Sequence, residues 1–248
     1  MNRSEYHALD AIGSTDLRNL ARSPAHFKAG RSGVFEATAA MQFGTDVHTL
    51  VLEPARVESE WTIERIDRRT KAGKERDAEV AAAGLRLVDP EDYDVMRRMR
   101  DSLQAHPAAR RLLEGATVEE PIVWDCEMTG LKCKALPDAR KARIMVDLKT
   151  TDDASEEGFT RAIARYGYAL QQAHYLDAPV GCDAFVFVAV EKEPPFAVGT
   201  YVIDLISLEK ARHRRMSLLE LYADCVNRGR WPAYADTIKT ISLPAWAA

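Results

Sequence analysis

The sequence predicts a single α/β domain in which a mixed central sheet is flanked by helices and preceded by a helical N-terminal region. Three observations predict it. Apolar residues recur at three- and four-residue steps before residue 114. From Thr117 the apolar period shortens to two. Two further helical stretches then separate this strand region from a second pair of strand-like runs. The expected divisions are a mainly helical part over 1–113 with a basic loop at 65–83, a sheet core over 114–206, and a C-terminal helix and tail over 207–248.

Taken in order, Ser14 and Asp16 open a short helix with Leu17, Leu20 and Ala21 on one face. Residues 37–52 are predicted as a second helix, closed by Pro54, whose apolar face is Phe43, Val47, Leu50 and Val51. His48 stands one turn after Gly44 on a neighbouring face. Residues 65–83 are polar, basic and weakly periodic, and read as an ordered or mobile loop. Asp89 is a plausible N-cap with Pro90 at the first position of a long helix carrying Val95, Met96, Met99 and Leu103; His106-Pro107 ends or interrupts it.

Residues 118–124 then read as a strand, Met128-Thr129-Gly130 as a turn and 131–136 as the returning strand. A third strand spans 143–149 around the apolar run Ile144-Met145-Val146. Helices are expected at 155–166 and 168–176, strands at 184–190 and 197–203, and a helix from Ser207 to about Asn227 before a Trp/Pro-rich tail.

Composition narrows the class. The 248 residues are 46% hydrophobic and 29% charged, the balance of a well-cored globular protein. No apolar run approaches the roughly 18 residues of a membrane span, and the first ten residues lack the apolar core of a secretory signal, so the expected location is the cytoplasm. Cys126, Cys133, Cys182 and Cys225 form no close pairs, which favours ordinary reduced thiols over a zinc site. The net charge of −4 does not advertise nucleic-acid binding. The cations are clustered, however: Arg65, Arg68, Arg69, Lys71, Lys74 and Arg76 in one stretch, Arg97, Arg98 and Arg100 in a second, Arg212, Arg214 and Arg215 in a third. Solvated surface explains such clusters; local DNA contact is the alternative.

The segments most suggestive of chemistry are Leu136-Pro137-Asp138 and Val146-Asp147-Leu148-Lys149. Side chains alternate along a strand, so Asp147 and Lys149 project to one side and Leu148 to the other, into the core. An acid and an amine so held can serve a metal and its water, and Asp138, at a hairpin end or on a neighbouring strand, can add a second carboxylate. Magnesium prefers such oxygen ligands. Exposed strands also carry Asp and Lys by chance. Gln171 and Tyr175, four apart, share a helix face that is equally compatible with plain surface. A histidine beside an apolar helix face, as His48 is, is usually a satisfied core or boundary residue; a ligand is the alternative.

In chain order, His48, the Asp138…Asp147-x-Lys149 core and Gln171-x-x-x-Tyr175 resemble the RecB-like subgroup of the PD-(D/E)xK nuclease superfamily. Over nearly the whole chain the similarity is closer to the RecE-type exonucleases, the nuclease domain of exodeoxyribonuclease VIII. The matching stretches are Ser23-Pro24-Ala25, Gly44-Thr45-x-x-His48 with Leu52-Glu53-Pro54, and Arg68-Arg69-Thr70-x-Ala72-Gly73-Lys74. Further along they are Thr129-Gly130-x-x-Cys133, Pro137-Asp138, Asp147-x-Lys149-Thr150-Thr151, and Trp231-Pro232 with Leu243-Pro244-x-Trp246.

The resemblance implies a restriction-endonuclease-like fold and a metal site of His48, Asp138, Asp147 and the backbone carbonyl of Leu148. Lys149 would position the attacking water, Gln171 and Tyr175 would orient the DNA backbone or support the lysine, and Glu119 would be an auxiliary acid or an exposed strand residue. Arg68, Arg69, Lys71 and Lys74 would line a DNA channel. The cofactor implied is Mg2+, with Mn2+ able to substitute because a histidine ligand is softer than magnesium prefers. The activity implied is 5′-to-3′ exonucleolysis of linear double-stranded DNA, leaving 3′ single-stranded tails for phage-type recombination. The expected partners are double-stranded DNA ends, further copies of the chain in a homo-oligomer (a tetramer), and a single-strand annealing recombinase. A non-catalytic DNA-binding or assembly module of the same fold, and a nuclease of endonucleolytic, single-strand or RNA specificity, are the alternatives.

Overall fold

The computed structural model describes residues 1, 3–33 and 38–243. Five helices open the chain: α1 (Arg3–Ala8), α2 (Ser14–Arg22), α3 (Pro24–Ser32), α4 (Ala39–Leu52) and α5 (Pro54–Glu60). Ser23 starts α3 by accepting a hydrogen bond from His26 N–H, and Thr38 starts α4 by accepting one from Met41 N–H. The expected first residue of that helix, Ala37, lies outside the described residues. Pro54 disfavours helical backbone at Glu53, so the chain breaks there and restarts as α5.

A short strand, β1 (Trp61–Ile63), pairs in parallel with β2 (Arg86–Val88), and α6 (Lys71–Ala82) connects them. This corrects the expected loop at 65–83. Thr70 caps the helix through Gly73 N–H, and Gly73 is required there, because a Cβ would stand 2.0 Å from the carbonyl oxygen of Asp67. The helix is weakly amphipathic and buries only Gly73 and Val80, so its periodicity is faint in the sequence. The next helix, α7 (Pro90–Ala105), begins at Asp89 as expected and buries Met96, Met99 and Leu103. His106 ends α7 and its ring caps α8 (Pro107–Leu113) by accepting from Ala109 N–H.

The sheet region then follows as β3 (Thr117–Val118), β4 (Ile122–Asp125), β5 (Lys132–Ala135), β6 (Ala139–Lys141) and β7 (Ile144–Thr151). Helices α9 (Glu156–Tyr166) and α10 (Tyr168–Leu176) cross to β8 (Ala184–Glu191), and β9 (Val198–Tyr201) and α11 (Leu205–Arg228) complete the chain. The single strand expected at 118–124 is two strands in different sheets, because Glu119 adopts φ +49° and turns the chain. The central sheet runs β3-β6-β7-β8-β9, with β7 and β8 parallel and the other pairs antiparallel; β4 and β5 form a separate hairpin.

The two sheet faces follow from strand alternation. Met145, Phe185, Phe187 and Ala189 pack with Leu17, Leu20, Phe159 and Leu219 on one face. Val146, Leu148, Val188 and Val190 pack with Val47, Leu50, Met96 and Leu103 on the other. Helix α10, expected to be compatible with plain surface, instead buries Leu170, Gln172, Ala173, His174 and Tyr175. Behind it the fully buried Arg215 donates from Nε to His174 Nδ1 at 3.1 Å and pairs with Asp177 at 2.7 Å. All four cysteines are buried and unpaired. Among the described residues, no helix is long and apolar enough to cross a membrane.

Candidate metal and nuclease site

The site forms where β6 ends and β7 continues. The last β6–β7 pairing is Ala139 with Val146, so residues beyond Val146 have no strand partner on that side. Asp138, one residue before β6, fills the gap: its Oδ2 accepts from Leu148 N–H at 2.6 Å. The carbonyl of Leu148 points the same way as its N–H, since both groups of a strand residue face one neighbour. Alternation places Asp147 and Lys149 together on one sheet face. Lys149 Nζ forms an ion pair with Asp147 Oδ2, and Gln171 Nε2 donates to Asp147 Oδ1 at 2.7 Å.

Helix α4 brings His48 from the opposite layer, with Nδ1 3.3 Å from Asp138 Oδ1. The positive φ that splits β3 from β4 brings Glu119 to the same place, and Glu119 N–H donates to the Asp138 carbonyl at 3.2 Å. One ligand atom from each of His48, Glu119 and Asp138 lies within 4.8 Å of the others. Among the described residues, Glu119 Oε2 is buried with no hydrogen-bond donor, and Oε1 is met by Arg3 at 3.8 Å. An orphaned carboxylate oxygen beside an imidazole and a second carboxylate fits a divalent cation, whose binding would satisfy it.

Charge at the site follows from burial and neighbours. Burial pushes the Asp147 carboxyl up to about 6, with Lys149 opposing the rise and Asp138 adding to it. Burial also opposes ionisation of Asp138, but His48, Lys149 and Leu148 N–H outweigh it and hold Asp138 below its ordinary value. Burial disfavours charge on His48, yet Asp138 raises its pKa. Burial disfavours charge on Lys149, yet the two aspartates keep it protonated. Glu119 is pushed up to about 7, first by burial and then by Asp138.

The expected residues are thus mostly gathered, with differences in role. His48 and Asp138 meet; Asp147 faces Lys149 and Gln171 and is not one of the three clustered donors. Gln171 holds Asp147, not Lys149. Tyr175 is buried and donates to the Leu136 carbonyl at 3.3 Å, anchoring the approach to Asp138. Glu119, considered above as an auxiliary acid or an exposed strand residue, is part of the cluster. A residue that the sequence pattern does not mark is Tyr168, whose ring centroid is 4.8 Å from Lys149 Nζ. The DxK spacing gives no signal for it.

The basic stretch is largely neutralised by its own acids. Arg68 pairs with Asp77, Arg69 with Asp67, Lys71 with Glu75, and Arg76 with Glu64 and Glu79. Lys74 has no ion-pair partner among the described residues.

A candidate exonuclease from Eubacterium rectale has a similar solved structure, with TM-score 0.65 and 14% identity, covering 98% of this chain and 96% of that one. A phage-related exonuclease from Haemophilus somnus 129PT gives TM-score 0.39 at 11% identity over 89% and 96% of the two chains. An alkaline exonuclease from Laribacter hongkongensis gives 0.34 at 14% over 91% and 97%. No curated protein matches the sequence. Residues 13–244 match the family described as a PDDEXK-like domain of unknown function (DUF3799), and with so much of its length covered and a mixed sheet placing Asp138, Asp147 and Lys149 together, the chain belongs to that PDDEXK-like family.

Proposed function

We propose that the protein is a metal-dependent exonuclease that hydrolyses phosphodiester bonds of linear double-stranded DNA. The observation that carries this is the meeting of His48, Glu119 and Asp138 beside the Asp147–Lys149 pair at the open end of β7. The family match and the fold shared with the E. rectale protein support it.

His48, Asp138 and Glu119, whose donor atoms cluster, would hold the ion, Mg2+ or in its place Mn2+; on the family resemblance the Leu148 carbonyl and Asp147 would complete the set, Asp147 by giving up one of its present partners, Lys149 or Gln171. A bound divalent ion supplies a water ionised at neutral pH and relieves charge on phosphate oxygens. Lys149 remains protonated beside the two aspartates and so presents a fixed positive charge for the attacking water and the phosphate. Gln171 keeps Asp147 in one orientation; Leu148 N–H does the same for Asp138. Because both carboxylates are braced before substrate arrives, little reorganisation accompanies the reaction.

The resemblance to RecE-type exonucleases supports the finer reading: 5′-to-3′ polarity, 3′ single-stranded tails that serve phage-type recombination, a tetrameric assembly and a single-strand annealing partner. Linear duplexes labelled at either 5′ or 3′ end, beside a closed circular duplex, test it. With Mg2+ the 5′ label is expected to be released first and the circle to survive. Cutting of the circle would show an endonuclease instead.

A further inference from the structure

The Tyr168 ring beside Lys149 is the middle of a stack. Inward it lies on Phe187, with centroids 5.9 Å apart and planes at 26°; outward it lies on Tyr166, at 5.6 Å and 28°. Gly167 makes this possible. At φ +69° and ψ 33° it joins α9 to α10 and sets two tyrosines on either side of it face to face. The outer ring, Tyr166, is 45% exposed.

Positive charge surrounds that ring. The Arg165 guanidinium lies 5.4 Å from its centroid. Arg18 is held at the joint by donating to the Tyr166 carbonyl at 3.4 Å and to the Thr15 hydroxyl at 3.2 Å. Neither arginine is in an ion pair among the described residues, whereas Arg68, Arg69, Lys71 and Arg76 each are. A half-exposed aromatic ring with cations in no ion pair among the described residues, stacked on the ring that meets Lys149, has the chemistry of a single-strand subsite: bases stack on rings, displacing a mobile guanidinium where one lies, and phosphates meet arginine.

We infer that Tyr166 is a stacking platform for one base of an unpaired DNA strand leading to Lys149, with Arg18 and Arg165 supplying charge to its phosphates. This rests on the nuclease reading and adds to it the ring that receives one base of the strand. Stacking tolerates any base, as a non-specific exonuclease needs.

The test is binding of a labelled single-stranded oligothymidine to the full chain in chelator, where no hydrolysis occurs. Intact oligomers and oligomers with one abasic site at successive positions are titrated against wild type, Tyr166→Ala, Tyr166→Phe and Arg18→Gln. Tyr166→Ala is expected to weaken binding about fivefold or more, and Tyr166→Phe to stay near wild type. An abasic site at one position should cost wild type a similar factor and Tyr166→Ala nothing further. Arg18→Gln should flatten the slope of log affinity against log salt by about 0.7. Equal affinity of wild type and Tyr166→Ala, or abasic losses equal in both, would overturn the inference. Because this assay needs no cleavage, the two ideas fail separately. Loss of the Tyr166 effect with nuclease activity intact removes the platform alone; stacking without any nuclease activity removes the enzymatic reading alone.

Discussion

Gln171 on α10 donates from its side-chain amide to Asp147 on β7 at 2.7 Å, across 24 residues of sequence. The bond fixes which way the Asp147 carboxylate turns and leaves its other oxygen to Lys149. It converts a helix on one side of the sheet into a brace for a strand residue.

Gln171→Ala removes that brace without removing any charged group. The expected result is a loss of activity of about 10- to 100-fold, with a stability change near 1 kcal/mol. Single-turnover rates and urea unfolding measure the two effects. Activity near wild type would mean that Lys149 alone orients Asp147.

Lys149→Met leaves Asp147 buried without its cation. Cleavage is expected to fall to background, and stability in chelator at pH 8 to fall by roughly 3–5 kcal/mol. Asp147 already has its pKa raised by burial, and losing Lys149 raises it further, so protonation at pH 5 should recover much of that loss. The double variant Asp147→Asn/Lys149→Met should be more stable at pH 8 than Lys149→Met alone, with no cleavage in either. A pH-independent loss in Lys149→Met would show that packing, not charge, is the cause.

His174 predicts a pH dependence away from the site. Burial first, and Arg215 next, lower its pKa from 6.5 to about 3. The folded state therefore binds fewer protons than the unfolded state between these values. The stability from keeping His174 neutral is complete above about pH 6.5 and is lost as pH falls toward 3, by about 1.4 kcal/mol per pH unit within that window. In urea unfolding between pH 7 and pH 5, His174→Gln should lose less stability than wild type. Parallel pH profiles would contradict a buried neutral imidazole.

Lys74 differs from its neighbours, which their own acids hold. On the DNA-binding proposal, Lys74→Ala should flatten the salt dependence of duplex binding by up to about one unit, and Arg69→Ala much less. An unchanged slope for Lys74→Ala would make this stretch ordinary solvated surface.

What was legible in the sequence is what local patterns encode. The Asp147-x-Lys149 alternation, the Asp89-Pro90 cap and the two helices around Gly167 depend on neighbours in the chain, and all appear where expected. Strand β6 is faint in the sequence because Ala139–Lys141 is only three residues long, joined to β7 by a turn with Ala142 at φ +52° and paired on its other side with the two-residue β3. The role of Glu119 is open in the sequence because a single positive φ at a non-glycine residue, set by tertiary packing, turns it from a strand position toward His48 and Asp138. Helical spacing marks Gln171 as part of a helix face but not as a partner of Asp147, since only the crossover from β7 to β8 brings them together. The pairing of Arg68 with Asp77 likewise needed the helix that the weak periodicity of 71–82 conceals.

The most direct test of metal-assisted hydrolysis is the initial rate of nucleotide release from a linear duplex as Mg2+ is titrated into chelator-treated protein. Wild type, Asp138→Asn and His48→Ala are compared, each checked for folding. No release is expected without metal, saturation in wild type, and no release at any concentration for Asp138→Asn. For His48→Ala the midpoint should move at least roughly tenfold higher. Release by metal-free wild type, or a near-normal rate for Asp138→Asn, would contradict metal-assisted hydrolysis.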